Sequence, residues 1–352
     1  MPLWLAEVPP HDARTETMSD QPDAAPPPPA ASESPALPLQ TVQPAQPLHW
    51  GAEALWQQLE PLLPGLSVEI VRTIASTNSA LLARSRAVVE VDGNEGHAMV
   101  RRSVESSAFG RRAADVQPCL LVAEQQTGGR GRQGRAWHSA AGGSLTFSLG
   151  LPMRLTDWSG LSLAVGVAVC EALLPAQGLA HIGLKWPNDV WLMDSPDAGR
   201  KLGGILIETV AAGNSRLVVI GIGLNVSALA LSGLQTGLAC VQEFEPEATP
   251  QGLLARIALP LVKALKLFEA EGFTAFADRF APLDVLRGQA LRTTHPDAAE
   301  GVGQGVSTTG ELLVQTTTGL KRIGSGEVSV RPVGSGDSSG AVLPPERSDP
   351  PC

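Results

Sequence analysis

The chain has 352 residues, 43% of them hydrophobic and 17% charged, so it is long enough for about two domains and can bury a sizeable core. A formal net charge of −9 argues against general binding to nucleic acid or anionic membranes, although it leaves room for a local basic site. The four cysteines (Cys119, Cys170, Cys240 and Cys352) lie far apart without C-x-x-C spacing, which argues against a metal cluster or a disulfide framework and fits reduced thiols in a cytosolic protein.

Residues 1–49 carry 12 of the 29 prolines, a composition that buries too little apolar surface to offset chain entropy, so a disordered tail is expected there and again over 334–352. No basic-then-apolar leader pattern opens the chain. Residues 49–63 read as a helix ending by Pro64, residues 67–74 as a strand, and Ser76 as the N-cap of a short helix through Arg84. Residues 86–117 are polar, with weak periodicity, and read as an inserted loop. Strands are expected at 119–123 and 144–151. Residues 161–174 are apolar nearly all round and suit a buried helix; Ser162, Glu171 and its length exclude a membrane span. Short apolar runs at 184–186, 202–207 and 217–222 read as buried strands, and helices follow at about 252–271 and 273–280. Beyond Pro282 come five short β-rich pieces, 285–294, 301–307, 311–316, 320–323 and 327–331, which suggest a small barrel. The expected organisation is a tail (1–49), a catalytic domain (50–282), a small C-terminal domain (283–333) and a second tail (334–352).

Four motifs carry chemistry. Gly128-Gly129-Arg130-Gly131-Arg132-Gln133-Gly134-Arg135 follows a strand directly. Its glycines let backbone N–H groups approach an anion, and its arginines add planar donors for carboxylate or phosphate. A flexible basic linker is the alternative; the position between two strands, with Trp137 following, counts against it. Lys185-Trp186-Pro187-Asn188-Asp189 is either an ordinary turn with a lysine on its rim or a place where Asn188 and Asp189 offer oxygens to a nucleotide or Mg²⁺. Lys201 opens the run to Glu208 through Gly203 and Gly204, as a solvated lysine or as a cation beside a close-approaching ligand. Gly221-Ile222-Gly223-Leu224-Asn225 lacks the third glycine of a dinucleotide fingerprint, and either ends a strand under a ligand or makes a tight turn. Together these residues describe a site that brings two anions together, such as a carboxylate and a phosphate ester.

These residues resemble the biotin–protein ligase family, in the family's order: Ser76-Thr77-Asn78, the run from Ala123 through Arg135, Trp137, Lys185 to Asp189, Lys201 to Glu208, and Gly221 to Asn225. The resemblance implies an α/β fold, with a mixed sheet and helices in a catalytic domain similar to class II aminoacyl-tRNA synthetases, followed by a small SH3-like β-barrel. It implies two steps: biotin and MgATP give biotinyl-5′-AMP and pyrophosphate, and the lysine of a biotin carboxyl carrier protein domain then releases AMP. Ser76, Thr77, Asn78, Gln126, Gly129, Arg130, Gly131, Arg132, Lys201, Gly204 and Gly221 would contact biotin. Arg132, Arg135, Trp137, Lys185, Asn188, Asn225 and Arg331 would face the nucleotide, with Asp189 on the Mg²⁺ side. Lys201 and Arg132 would be catalytic, and the glycine–arginine loop would close over the hydrolysable mixed anhydride.

The N-terminal winged helix that makes some relatives repressors has no counterpart pattern in 1–49, so no DNA binding is expected. A hairpin insertion, 193–199, widens the spacing from Asp189 to Lys201. The resemblance leaves a monomer or a homodimer open and implies a cytoplasmic enzyme without membrane attachment. A lipoate–protein ligase of the same fold is the enzyme alternative, which the Arg-Gly-Arg-x-Gly-Arg pattern disfavours. An RNA-binding module using the Gly/Arg segment is the other alternative, and 4% aromatic content with an acidic total disfavours it.

Overall fold

The computed structural model describes residues 49–91, 106–109, 117–155, 157–174, 181–196, 198–212, 215–229, 237–326 and 328–333. In chain order the main elements are α1 (Ala52–Leu59), β1 (Ser67–Ile74), α2 (Thr77–Val91), β2 (Ser106–Phe109), β3 (Cys119–Gln126), β4 (Gly129–Arg130), β5 (Ala136–Trp137), β6 (Ser144–Met153), α3 (Leu161–Leu173), β7 (Ile182–Lys185), β8 (Asp189–Ser195), β9 (Ala198–Ala212) and β10 (Ser215–Asn225). There follow α4 (Pro250–Glu271), α5 (Ala277–Phe280), β11 (Ala290–Thr293), β12 (Glu300–Val306), β13 (Leu312–Thr316), β14 (Gly319–Ile323) and β15 (Val330–Pro332). The fold is mixed α/β. One eight-stranded sheet runs β2-β1-β3-β6-β10-β9-β8-β7, and a second, five-stranded and antiparallel, runs β14-β13-β12-β11-β15.

Period-two alternation sets the two faces of the large sheet. Leu120 and Val122 of β3, Phe147, Leu149 and Leu151 of β6, and Val218, Ile220 and Ile222 of β10 join α3 and α4 in the main core. The α3 residues are buried nearly all round, as the unbroken apolar run 161–174 demands. Thr249 caps α4 by accepting from the Gly252 N–H at 3.2 Å, and Pro250 follows at the first turn, where its missing donor matters least. The opposite face is thin. Among the described residues α2 covers part of it, with Leu81 and Leu82 packing on Cys119, Leu121, Leu217 and Val219.

Where α2 ends its cover, that face is paved with small residues. Register places Gly204 beside Gly223, Gly223 beside Thr146 and Thr146 beside Ala123, so one row of small side chains crosses four strands. The next row places Gly221 beside Ser148. The result is a shallow trough in the sheet.

Several expectations need correction. The first helix is shorter than 49–63, because residues 60–65 turn toward β1. No glycine or proline interrupts residues 85–91, and α2 runs through them to Val91, into the segment read as a loop. Ser106–Phe109, within the same segment, pairs antiparallel with β1, since an edge strand needs main-chain partners more than a side-chain pattern. The rest of the insertion, 92–105 and 110–116, and the expected tails 1–48 and 334–352, lie outside the described residues. Lys201 does not open its strand: β9 starts at Ala198, because the 193–199 insertion closes the β8–β9 hairpin with Ser195 opposite Ala198.

Candidate active site

Lys201, Asp189, Lys185 and the arginine loop meet at one end of the trough. Lys201 Nζ lies 2.6 Å from Asp189 Oδ1, an ion pair across the β8–β9 hairpin. Lys185, opposite Asp189 in the β7–β8 register, sits 4.6 Å from the centre of the Trp191 ring. Burial pushes the Lys185 ammonium down to about 8; the Asp189 charge works against this, while Lys201, Arg331 and Arg135 add to it. Burial also lowers Arg132, and Asp189 is the charge that most offsets it. Two lysines and three arginines therefore share the field of one carboxylate, an arrangement suited to a polyanion.

Each part is held by recognisable local chemistry. Asn188 braces β9 from both sides: its Nδ2 donates to the Ile205 carbonyl at 2.8 Å, and its own carbonyl accepts from Ile205 N at 2.9 Å. Asn225 Nδ2 donates to the carbonyls of Lys201 (3.3 Å) and Ala239 (3.0 Å), fixing the main chain behind Lys201. Gly204 leaves its Cβ space to Lys201, whose Nζ would lie 3.3 Å from an added methyl. Ser76 caps α2, its hydroxyl accepting from Ser79 N at 3.4 Å. Gln126 Oε1 accepts from the Thr77 N–H at 2.7 Å and lies 3.1 Å from the Thr77 hydroxyl.

The glycine–arginine run folds into β4, a 3₁₀ turn over Arg132–Gly134, and β5. The turn closes through Gly131 N to the Arg135 carbonyl at 2.7 Å, with Gln133 in the left-handed region at φ 55°. A side chain at Gly129 would meet the Trp137 carbonyl at 2.5 Å. Trp137 lies across Gly223, and its buried Nε1 makes no hydrogen bond. A cavity of about 300 Å³ opens here, lined among others by Gln126, Gly129, Trp137 and Leu229.

The structure redistributes several expected contacts. Arg130 points at protein, with Nη2 3.0 and 2.9 Å from the two Glu208 carboxylate oxygens. Arg132 Nη2 donates to the carbonyls of Ser325 and Gly326, and Arg135 Nη2 donates to Ser329 Oγ at 3.2 Å, so the loop leans on the C-terminal module. Carbonyl dipoles and an internal carboxylate thus occupy guanidinium groups expected on substrate anions. Gly221 leaves room for Asn78, because a Cβ there would fall 2.3 Å from Asn78 Oδ1. Asn78 is in turn fully engaged within the protein, through Leu206, Glu208 and Ser148. Arg331 is exposed on β15 and reaches the group through its charge on Lys185. Sequence reasoning missed Ser148, Glu208 and Trp191. Ser144, Thr146 and Ser148 alternate with Leu145 and Phe147 along β6, a period-two pattern that marks a polar stripe on one face.

Comparison with known proteins places this geometry. Residues 112–225 match the biotin/lipoate A/B protein ligase family, and residues 290–331 match the biotin protein ligase C terminal domain. The chain is 34% identical over 216 residues to the bifunctional ligase/repressor BirA of Salmonella typhimurium, covering 60% of this chain and 66% of that protein. It is 33% identical over 206 residues to the biotin–[acetyl-CoA-carboxylase] ligase of Mycobacterium tuberculosis, covering 56% of each. The match thus spans just under two thirds of the first relative's length and little more than half of the second's. The solved structure of biotin protein ligase from Aquifex aeolicus in complex with biotin and ATP superposes with a TM-score of 0.57 at 24% identity, over 75% of this chain and 98% of that one, a likeness of fold.

Proposed function

We propose that this chain, whose residues 112–225 match the biotin/lipoate A/B protein ligase family, activates biotin with ATP and transfers it to a lysine of a carrier protein. The observation that carries the reading is the gathering of Lys185, Lys201, Arg132, Arg135 and Arg331 around Asp189, at the end of a trough paved with glycine.

In the first step a biotin carboxylate oxygen attacks the α-phosphorus of ATP. A C–O–P linkage forms and the bond to the β-phosphate oxygen breaks, releasing pyrophosphate. Both reactants are anionic, so the main obstacle is their mutual repulsion, and fixed cations lower it most where charge builds on the transferring phosphoryl oxygens. Lys201 is the residue assigned there. It exchanges Asp189 for the phosphate, and Asn225 and Asn188 brace its strand. Lys185 and Arg331 face the polyphosphate. Ser76, Thr77, Gln126 and Gly204 border the space assigned to biotin, and Trp137 the space assigned to the nucleotide. In the second step the neutral carrier amine attacks the activated carbonyl carbon, a C–N amide bond forms, AMP leaves with the C–O electron pair, and the proton shed by the nitrogen passes to solvent.

Among the described residues no group of three or more His, Cys, Asp or Glu side chains converges to hold a metal. Asp189, one oxygen of which meets Lys201, would hold Mg²⁺ through its carboxylate. Bound there, the ion would neutralise charge on the phosphates.

The finer assignments belong to the same reading: a catalytic domain over 50–282 similar to class II aminoacyl-tRNA synthetases, an SH3-like module over 283–333, and a biotin carboxyl carrier domain as acceptor. It includes a cytoplasmic monomer or homodimer without DNA binding. The match of 290–331 to a domain named for biotin protein ligase favours biotin over lipoate. Exchange of labelled pyrophosphate into ATP tests the substrate. Exchange supported by biotin is expected, and exchange with lipoate alone would overturn it. Lys201→Ala should slow biotin-dependent exchange by at least about 100-fold with the fold intact, since one preorganised transition-state contact is worth roughly that much.

A further inference from the structure

We propose that Arg200 is a positioning residue for Lys201: its guanidinium clamps the returning chain 237–243 and the β8–β9 hairpin around the piece of β9 that carries Lys201 to the reacting phosphate. The inference deepens the ligase reading and rests on it.

β9 has weak neighbours where Lys201 sits. On one side the β10 ladder stops at the pair of Gly203 with Leu224. On the other the β8 register slips: Val190 pairs with Gly203 but Trp191 with Lys201, which leaves Leu202 out of the ladder. Residues 237–239 take over where β10 stops, through a parallel bridge of Leu238 with Lys201. The Lys201 N–H donates to the Gly237 carbonyl and the Lys201 carbonyl accepts from Ala239 N, both at 2.9 Å. This strip therefore sets the main-chain frame of Lys201, and the strip must itself be held.

Arg200 holds it. A guanidinium carries five N–H donors in one rigid plane. Nη1 donates to the Leu238 carbonyl at 3.1 Å and to Glu243 Oε1 at 3.0 Å. Nη2 donates to Glu243 Oε2 and to Asp194 Oδ1 at 2.7 Å each, and Nε to Asp194 Oδ2 at 2.9 Å. Every donor is used, and each carboxylate is met by a two-pronged fork. Glu243 Oε1 also accepts from Cys240 N at 2.8 Å, which carries the hold to the end of the strip. Gly237 packs on the arginine stem, where an added Cβ would fall 2.9 Å from Arg200 Cγ. Asp194 belongs to the hairpin insertion that lengthens the path from Asp189 to Lys201, so the insertion supplies one jaw of the clamp. The three charged side chains are partly exposed, and ion pairs of that kind add little to stability; what the doubly forked guanidinium fixes is geometry.

The test measures biotin-dependent exchange of labelled pyrophosphate into ATP by the full chain, with Arg200→Met made alone and on top of Lys201→Ala. Methionine keeps an unbranched stem beside Gly237 and has no donors. With Lys201 present, Arg200→Met should lower kcat about 10-fold and leave KM for biotin within about 2-fold, since a small misplacement of a group at the chemistry costs that much or more. On Lys201→Ala the same change should cost less than about 2-fold, because no ammonium is left to misplace. Arg200→Lys, a point charge without the fork, should stay near the methionine value. Asp194→Ala, at an exposed position, should lower kcat by a smaller factor with the same dependence on Lys201, and decides the matter if Arg200→Met does not fold. Wild-type rates in Arg200→Met or Arg200→Lys, or equal losses with and without Lys201, would overturn the clamp alone. A wild-type chain without biotin-dependent exchange would overturn the clamp and the ligase reading together.

Discussion

Asp284 carries a polar atom with no partner. Its Oδ1 accepts from Leu286 N at 3.0 Å, while Oδ2 is shut off from solvent without a hydrogen bond. Burial raises the carboxyl to about 6, against the smaller pulls of the Leu286 N–H and the Arg287 charge. A raised acid favours the protonated form in the fold. Its stabilising contribution is complete below 3.8 and is lost as pH rises through about 6. The displacement corresponds to at most ~3 kcal/mol. Asp284→Asn cannot ionise, so its urea midpoint should exceed that of wild type at pH 7.5 by more than at pH 4.5. A difference independent of pH would remove the burial account. At this scale the site was partly legible. Lys185, Asp189 and Lys201 stood out in the sequence as charged groups beside turns and glycines, each with an ordinary structural alternative, and the fold brings the three together. Ser148 and Glu208 were not assigned, because their partner Asn78 lies 70 and 130 residues away in sequence.

At the scale of elements, most buried strands and helices were legible to within a few residues, since continuous apolar runs bounded by turn residues leave few other readings, but the buried strand β8 was not read as one, because only Val190, Trp191 and Leu192 form its apolar run. The edge strand β2 and the far end of α2 were not, because main-chain pairing and the lack of a helix breaker decided them rather than a pattern. The arginine loop is the informative element. Arg132 and Arg135 reach the 325–329 segment, and Arg130 reaches β9, so the loop is clasped at both ends by contacts that ligand anions would compete for. On the proposed reading, such a loop would hold a reactive mixed anhydride by charge-assisted hydrogen bonds. Arg132→Gly removes one clasp and adds backbone freedom. The variant should release biotinyl-adenylate and label lysines of a bystander protein such as albumin at least ~10-fold more than wild type, on an avidin blot. Equal bystander labelling would argue against the loop as a lid.

At the scale of the molecule, the main core of the described residues takes in Leu291, Leu312, Val314 and Ile323 of the C-terminal sheet and Leu286 just before it, together with α3, α4 and the large sheet. Contacts stitch the junction: Trp186 Nε1 donates to the Gly310 carbonyl at 3.1 Å, Thr274 Oγ1 donates to the Thr308 carbonyl at 3.3 Å, and Leu184 bridges to Asp284. Trp186 is 1% exposed and begins the turn that carries Asn188 and Asp189, so the module that holds Arg331 also supports the floor of the site. Gly310 is a point of this junction where two backbones touch. Its φ is +82°, and an added Cβ would fall 2.5 Å from the Gly160 Cα, where backbone meets backbone and cannot yield cheaply. Gly310→Ala therefore adds left-handed strain of about 1 kcal/mol to a steric cost of similar or larger size. With a shared core, that loss should lower a single unfolding transition by roughly 4–8 °C, followed together by tryptophan fluorescence and far-ultraviolet circular dichroism, rather than melt the small sheet alone. Activity should fall at temperatures well below that midpoint, because the strain acts on Trp186 and through it on the Asn188–Asp189 turn. Two separate transitions would mean that the sheets fold independently and that Trp186 is held from the large sheet's side only.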